Sequence, residues 1–207
     1  MRLEAEGNVK LLFSSFGFQK PIPAEKFALA IEREGLQKKT CFVIPYAGFN
    51  VEKTYAREKA GLVNFGFSPE KIFMLERKEQ ILETAPDFLY VPGGDPFKLL
   101  NAVNSLGLRD VIQDCVLNRG TVYIGVSAGA DLAVEDMEYV TELEDNNHGQ
   151  KCFSALNLIP EGILCHSDHY PYAMLKACRE MAEKEFLTIR DDQVILYENG
   201  DWQYLGE

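Results

Sequence analysis

Basic charge is scarce in this chain. Twenty-one lysines and arginines stand against 32 aspartates and glutamates, for a formal net charge of −11. Nothing supplies the basic stripe that a phosphate backbone requires, so no nucleic-acid partner is expected. The acidity reads as a solubility device. Long apolar runs are also missing. None approaches the ~20 residues that span a bilayer, so no membrane partner is expected. Residues 1–6, Met-Arg-Leu-Glu-Ala-Glu, lack the apolar stretch of a secretory leader. The five cysteines, Cys41, Cys115, Cys152, Cys165 and Cys178, are odd in number and form no C-x-x-C pair. Reduced thiols in a cytoplasmic protein are the expectation. With only three histidines and scattered cysteines, no metal cluster is expected. No glycine-rich loop ends in Lys-Ser/Thr, so no nucleotide is expected either, and no cofactor. Repeats, linkers and low-complexity segments are lacking.

What is present suits one domain, residues 1–207, long enough for a well-buried core and short for two. Apolar residues make up 46% and charged residues 26%, as in soluble globular proteins. Strand-like runs at 9–13, 40–45, 71–75, 87–92 and 121–124 alternate with helical patterns. The helices are expected at 24–34, 51–65 (capped by Asn50 and stopped by Gly66), 80–84, 97–104 (with Pro96 in its first turn) and 108–118. Pro21-Ile22-Pro23 reads as a stop to regular structure. Such alternation indicates an α/β fold with a parallel sheet and helices on both faces. Beyond Val134 the pattern changes. A polar, acidic stretch at 135–151 precedes a short strand at 163–165 and an amphipathic helix at 171–185. Short strands at 187–189, 194–197 and 202–205 close the chain, the last two joined by a turn at Asn199-Gly200.

Ligands in parallel α/β folds bind beyond the C-terminal ends of the strands. Residues 121–131, T-V-Y-I-G-V-S-A-G-A-D, end a strand in a G-x-S-x-G pattern. That pattern places Ser127 on a strained turn with its hydroxyl exposed. A serine needs a base, and histidine is the usual one. His148 lies in the acidic loop. His166 directly follows the apolar Ile163-Leu164-Cys165, and His169 is three residues on; position favours His166. The base needs an orienting acid. Downstream candidates are Glu198, at the end of an apolar strand, and the pair Asp191-Asp192. Upstream are Glu135, Asp136, Glu138 and Glu142. Gly93-Gly94, at another strand end and just before a helix, permits close backbone approach to an oxyanion, as does the amide of Ala128. The loop Ser14-Ser15-Phe16-Gly17 also follows a strand and is placed to line a site. Each feature has a plainer alternative: a structural turn, a loop histidine, a surface hairpin.

Three stretches together resemble the peptidase E-like serine peptidases, which include aspartyl dipeptidases and cyanophycinases. Val91 to Leu100, V-P-G-G-D-P-F-K-L-L, is similar to the family's G-G-N/D-x-x-x-L-L loop. Gly125-Val126-Ser127-Ala128-Gly129-Ala130 resembles its G-x-S-A-G-A elbow. Phe153-Ser154-Ala155-Leu156-Asn157-Leu158, followed by His166, resembles its F-x-A-L-N-L segment. The resemblance implies a three-layer sandwich with a mostly parallel central sheet, like class I glutamine amidotransferases (flavodoxin-like). It implies Ser127 as nucleophile, His166 as general base and acid, Gly94 and Ala128 as oxyanion donors, and Gly93 shaping the loop. Glu198 matches the family's third member best, with Glu142 second.

The expectation is therefore a serine-type peptidase cutting short peptides through a Ser-His-Glu triad and an acyl-enzyme. The alternatives are an esterase-like serine hydrolase and an inactive binding protein on the same scaffold. No histidine follows Glu198, which counts against the acid-before-histidine order of α/β-hydrolases. The aspartyl dipeptidases carry an arginine-rich stretch after the histidine; here residues 167–178 contain no arginine, which speaks against an Asp-X preference. The oligomeric state is open, with a homodimer among the forms the sequence allows.

Overall fold

The computed structural model describes residues 9–198 and 200–205. The leader reading at residues 1–6, and Asn199 of the expected turn, lie outside them. Five parallel strands run β1 (Lys10–Ser14), β2 (Cys41–Val43), β3 (Ile72–Met74), β4 (Phe88–Val91) and β5 (Val122–Val126). Two antiparallel strands, β8 (Val194–Glu198) and β9 (Asp201–Leu205), complete a seven-stranded sheet ordered β3-β2-β4-β5-β1-β8-β9. The remaining pair, β6 (Gly162–Leu164) and β7 (Phe186–Thr188), forms a separate parallel sheet.

Both faces of the large sheet are covered, which is why β1 and β4 read as continuous apolar runs. Leu12, Val43, Tyr90 and Ile124 point to one face and pack with α1 (Pro21–Ala30) and α2 (Val51–Phe65) through Phe27, Leu62 and Phe65. Leu11, Phe13, Leu89 and Tyr123 point to the other. There they meet α3 (Glu79–Leu82), α4 (Pro96–Ser105), α5 (Arg109–Asn118), α6 (Ala128–Asp131) and α7 (Tyr172–Ala182). The result is a three-layer α/β arrangement around a mostly parallel sheet. Asn50 caps α2, its side chain accepting from the Lys53 amide at 2.9 Å, as its sequence position predicts.

One local expectation is corrected. Pro21-Ile22-Pro23 does not stop structure but begins α1, which ends by Ile31 rather than Glu34. Proline's fixed φ suits a first helical turn, where its missing N–H would have had no partner. Among the described residues no helix is long and apolar enough to cross a membrane.

Candidate active site

The turn from β5 into α6 holds Ser127 at φ 49°, ψ −115°. A non-glycine residue there stores about 1–3 kcal/mol of strain, which the surroundings must over-determine. They do. The Ser127 amide donates to Ser14 O at 2.9 Å, and Ser127 O accepts from the amides of Ala130 at 2.7 Å and Asp131 at 3.0 Å. Gly129 lies so close to the Val91 carbonyl that any side chain would collide with it. Strand, turn and helix are thus locked together.

His166 reaches the same rim by another route. The β6–β7 pairing sets Leu164 opposite Thr188. Two residues past the first comes His166, and three past the second comes Asp191, so a parallel pair delivers both to one end. Nε2 of His166 lies 3.2 Å from Ser127 Oγ, and its Nδ1 lies 2.7 Å from Asp191 Oδ1. A carboxylate on Nδ1 holds the proton there and leaves Nε2 to accept from the hydroxyl. His169 closes the chain, its Nε2 2.8 Å from Asp191 Oδ2. The first strand's loop supports the base. The His166 amide donates to Ser15 Oγ at 2.9 Å, that hydroxyl donates to Ile189 O at 3.1 Å, and the Phe16 ring meets the imidazole edge-on at 5.1 Å.

The acid expected at Glu198 is corrected. β8 runs antiparallel to β1 with Val194 beside Ser14 and Glu198 beside Lys10. Four residues of strand put Glu198 about 13 Å farther along, toward the opposite rim. Its carboxylate pairs there with Lys10 at 3.6 Å. Glu142 is exposed on the 138–142 turn, where its charge acts on Cys178 of α7. The carboxylate that meets His166 Nδ1 is that of Asp191 instead. The signal that finds it is the one that found His166: a polar residue just past a short apolar strand, here 187–189. His148 pairs with Asp95 at 2.9 Å, beside the glycine loop. His166, His169 and Asp191 also bring ligand atoms within 4.8 Å of one another, a grouping that histidine counting missed.

Gly94 has φ 144° and sits against the Ala47 backbone, a conformation and a proximity that favour glycine. A Cβ at Gly93 would lie 2.9 Å from that of Ser127, so the loop packs directly on the elbow. Gly94 and Ala128 line one cleft with Ser127 and His166. Neither amide finds an acceptor among the described residues, as donors awaiting an oxyanion require.

Asp131 lines the same cleft one helical turn beyond Ser127. Burial, and then the nearby Glu144 charge, push its carboxyl up to about 8. The unfolded chain loses this proton near pH 4. Between pH ~4 and ~8 the folded state therefore holds a proton that the unfolded state has released, and stability falls as pH rises through that window. Asp131→Asn removes the slope. We expect it to stabilise the protein at pH 8 by about 2–4 kcal/mol, a discounted figure because the carboxyl meets the cleft. At pH 4 the gain should vanish. Urea unfolding at both pH values checks this, and equal stabilities at pH 8 would disprove it.

A family model described as Peptidase family S51 matches residues 11–205. A protein of Escherichia coli O6:K15:H31 named Peptidase E is 31% identical over 182 residues, covering 84% of this chain and 77% of that one. A Drosophila melanogaster protein named "Probable alpha-aspartyl dipeptidase" is 32% identical over 128 residues; the match spans 62% of this chain and 52% of that protein's length. Among solved structures, one from Listeria monocytogenes EGD-e is similar with a TM-score of 0.75 at 24% identity, covering 96% and 98% of the two chains. A peptidase from an acI-B1 Actinobacterium is similar with a TM-score of 0.70 at 17% identity, covering 97% and 88%.

Proposed function

We propose that this chain, which belongs to peptidase family S51, is a serine peptidase that hydrolyses short peptides, with Ser127, His166 and Asp191 as its triad. The observation that carries this reading is the continuous contact from hydroxyl to imidazole to carboxylate, at 3.2 and 2.7 Å. Ser127 Oγ attacks the scissile carbonyl while Nε2 of His166 takes its proton. The tetrahedral oxyanion is held by the amides of Gly94 and Ala128. Asp191 keeps the imidazole oriented and stabilises the imidazolium. His166 then protonates the leaving amine, and the peptide bond breaks to an acyl-serine. Water, deprotonated by the same nitrogen, hydrolyses that ester and restores the hydroxyl. One domain carries all of this, since both cores pack on a single large sheet. The five free thiols support a cytoplasmic setting.

The order serine, histidine, acid along the chain differs from the serine, acid, histidine order of α/β-hydrolases, which weighs against an esterase. A fluorophosphonate probe should label the folded protein stoichiometrically at Ser127, and a dipeptide panel should yield free amino acids. Cleavage of p-nitrophenyl esters without dipeptides would favour the esterase. No labelling and no cleavage would leave a binding protein.

A further inference from the structure

Asp191 faces two imidazoles. Its Oδ1 lies 2.7 Å from His166 Nδ1, and its Oδ2 lies 2.8 Å from His169 Nε2. Among the described residues no lysine or arginine pairs with this carboxylate; the neighbouring Arg190 turns to Asp192 at 3.3 Å. The proposed reaction uses only the first contact. The second leaves His169 with a ring nitrogen aimed at a carboxylate already shared with His166, and with no chemical task. Two histidine nitrogens and a carboxylate oxygen within 4.8 Å of one another form a donor set suited to zinc.

The backbone holds these donors in place. His166 sits at φ 52°, and the His169 amide donates back to His166 O at 2.8 Å, so a tight turn carries both rings. The Ser167 amide donates to Ile189 O at 3.1 Å, which ties that turn to the segment bearing Asp191. Beyond it, the Gln193 amide donates to Arg190 O at 3.1 Å, and its side-chain oxygen accepts from the Arg190 amide at 3.0 Å. Entry is open, since the His169 side chain is 59% exposed. Donors around a tetrahedral zinc stand ~3.3 Å apart, so each contact must widen by about half an ångström. An exposed ring can turn that far.

We propose that His166 Nδ1, His169 Nε2 and the Asp191 carboxylate bind one zinc ion, with water completing its coordination, and that the bound ion switches the peptidase off. The switch rests on the peptidase reading above; the site does not. Inhibition follows from the tautomer. A neutral imidazole carries one proton, and a metal on Nδ1 leaves that proton on Nε2. Nε2 of His166 then meets the Ser127 hydroxyl, 3.2 Å away, as a donor with no lone pair to take its proton. The ring of His169 likewise keeps its proton on Nδ1, so two neutral rings release none. Zinc also draws the carboxylate from the imidazole it orients. Magnesium and calcium want all-oxygen ligands and do not suit this set.

Calorimetric titration with zinc chloride in a non-chelating buffer reads the site directly, whether or not the protein cleaves peptides. One zinc per chain is expected. His169→Ala and Asp191→Asn should each weaken binding about tenfold or more, with thermal melting to check that both variants fold. Cys152→Ser and His148→Ala remove the exposed thiol and the imidazole paired with Asp95. Being remote from the site, they should leave the affinity within about twofold. Excess magnesium should not compete. In parallel, zinc should abolish dipeptide hydrolysis at a midpoint matching the calorimetric Kd, lowering kcat rather than raising KM, and EDTA should restore it. No saturable binding, or binding unmoved by His169→Ala, overturns the site. Hydrolysis untouched by saturating zinc overturns the switch. Stoichiometric binding that His169→Ala weakens, in a protein that hydrolyses no peptide, sinks the peptidase reading and keeps the site.

Discussion

Ser127→Ala is expected to lower kcat/KM for dipeptide hydrolysis by about a million-fold, leaving only what the oxyanion donors and binding supply. No neighbouring group can take over. Cys165 lies close, its Sγ 4.0 Å from Ser127 O, but burial raises its thiol well above the usual range and keeps it protonated. The variant should fold, because alanine at φ 49° bears no more strain than serine and the backbone bonds around residue 127 do not involve the hydroxyl. Activity is followed by amino-acid release, and folding by thermal melting. Residual activity within tenfold of the original, in a folded variant, would remove Ser127 from the mechanism.

Asp191→Asn should cost about ten-thousand-fold in kcat, while Glu198→Gln should change it less than twofold. Asparagine has the shape of aspartate, but its amide can donate to Nδ1 and so favour the tautomer that protonates Nε2, the nitrogen that must accept from Ser127. It also leaves the imidazolium uncompensated in a partly buried setting, where His166 and Asp191 are 22% and 24% exposed. Among the described residues the Glu198 carboxylate pairs with Lys10, in a partly exposed pair worth under about 1 kcal/mol. Steady-state kinetics of the two variants separate the acids. A large loss in Glu198→Gln with little in Asp191→Asn would reverse the assignment.

These two residues also show what could be read from the chain. The elbow is a local signal: β-branched residues, then glycines at fixed offsets around Ser127. Local signals survive translation into structure, and so do the alternating strands and helices of β1 to β5. Glu198 fits a sound rule, that site residues follow apolar strands. The rule has a direction built in. It works for a strand parallel to its neighbours and inverts for an antiparallel one, and nothing in Val194–Glu198 states which it is. Asp191 obeys the rule, but β7 reveals itself only through pairing with β6, a contact across the whole of α7. Pro21 is ambiguous for a different reason, since proline both breaks helices and starts them.

The His166 backbone leans on Ser15, and Ser15 in turn on Ile189, 174 positions away. Two segments far apart in the sequence are thereby stitched together beside the Ser127 hydroxyl and the His166 imidazole. A nascent polypeptide emerging from the ribosome carries Ser127 well before it carries Asp191, so the contact from hydroxyl to imidazole to carboxylate cannot form until residue 191 is made. On the peptidase reading proposed above, competence to cleave waits until residue 191 has joined the fold.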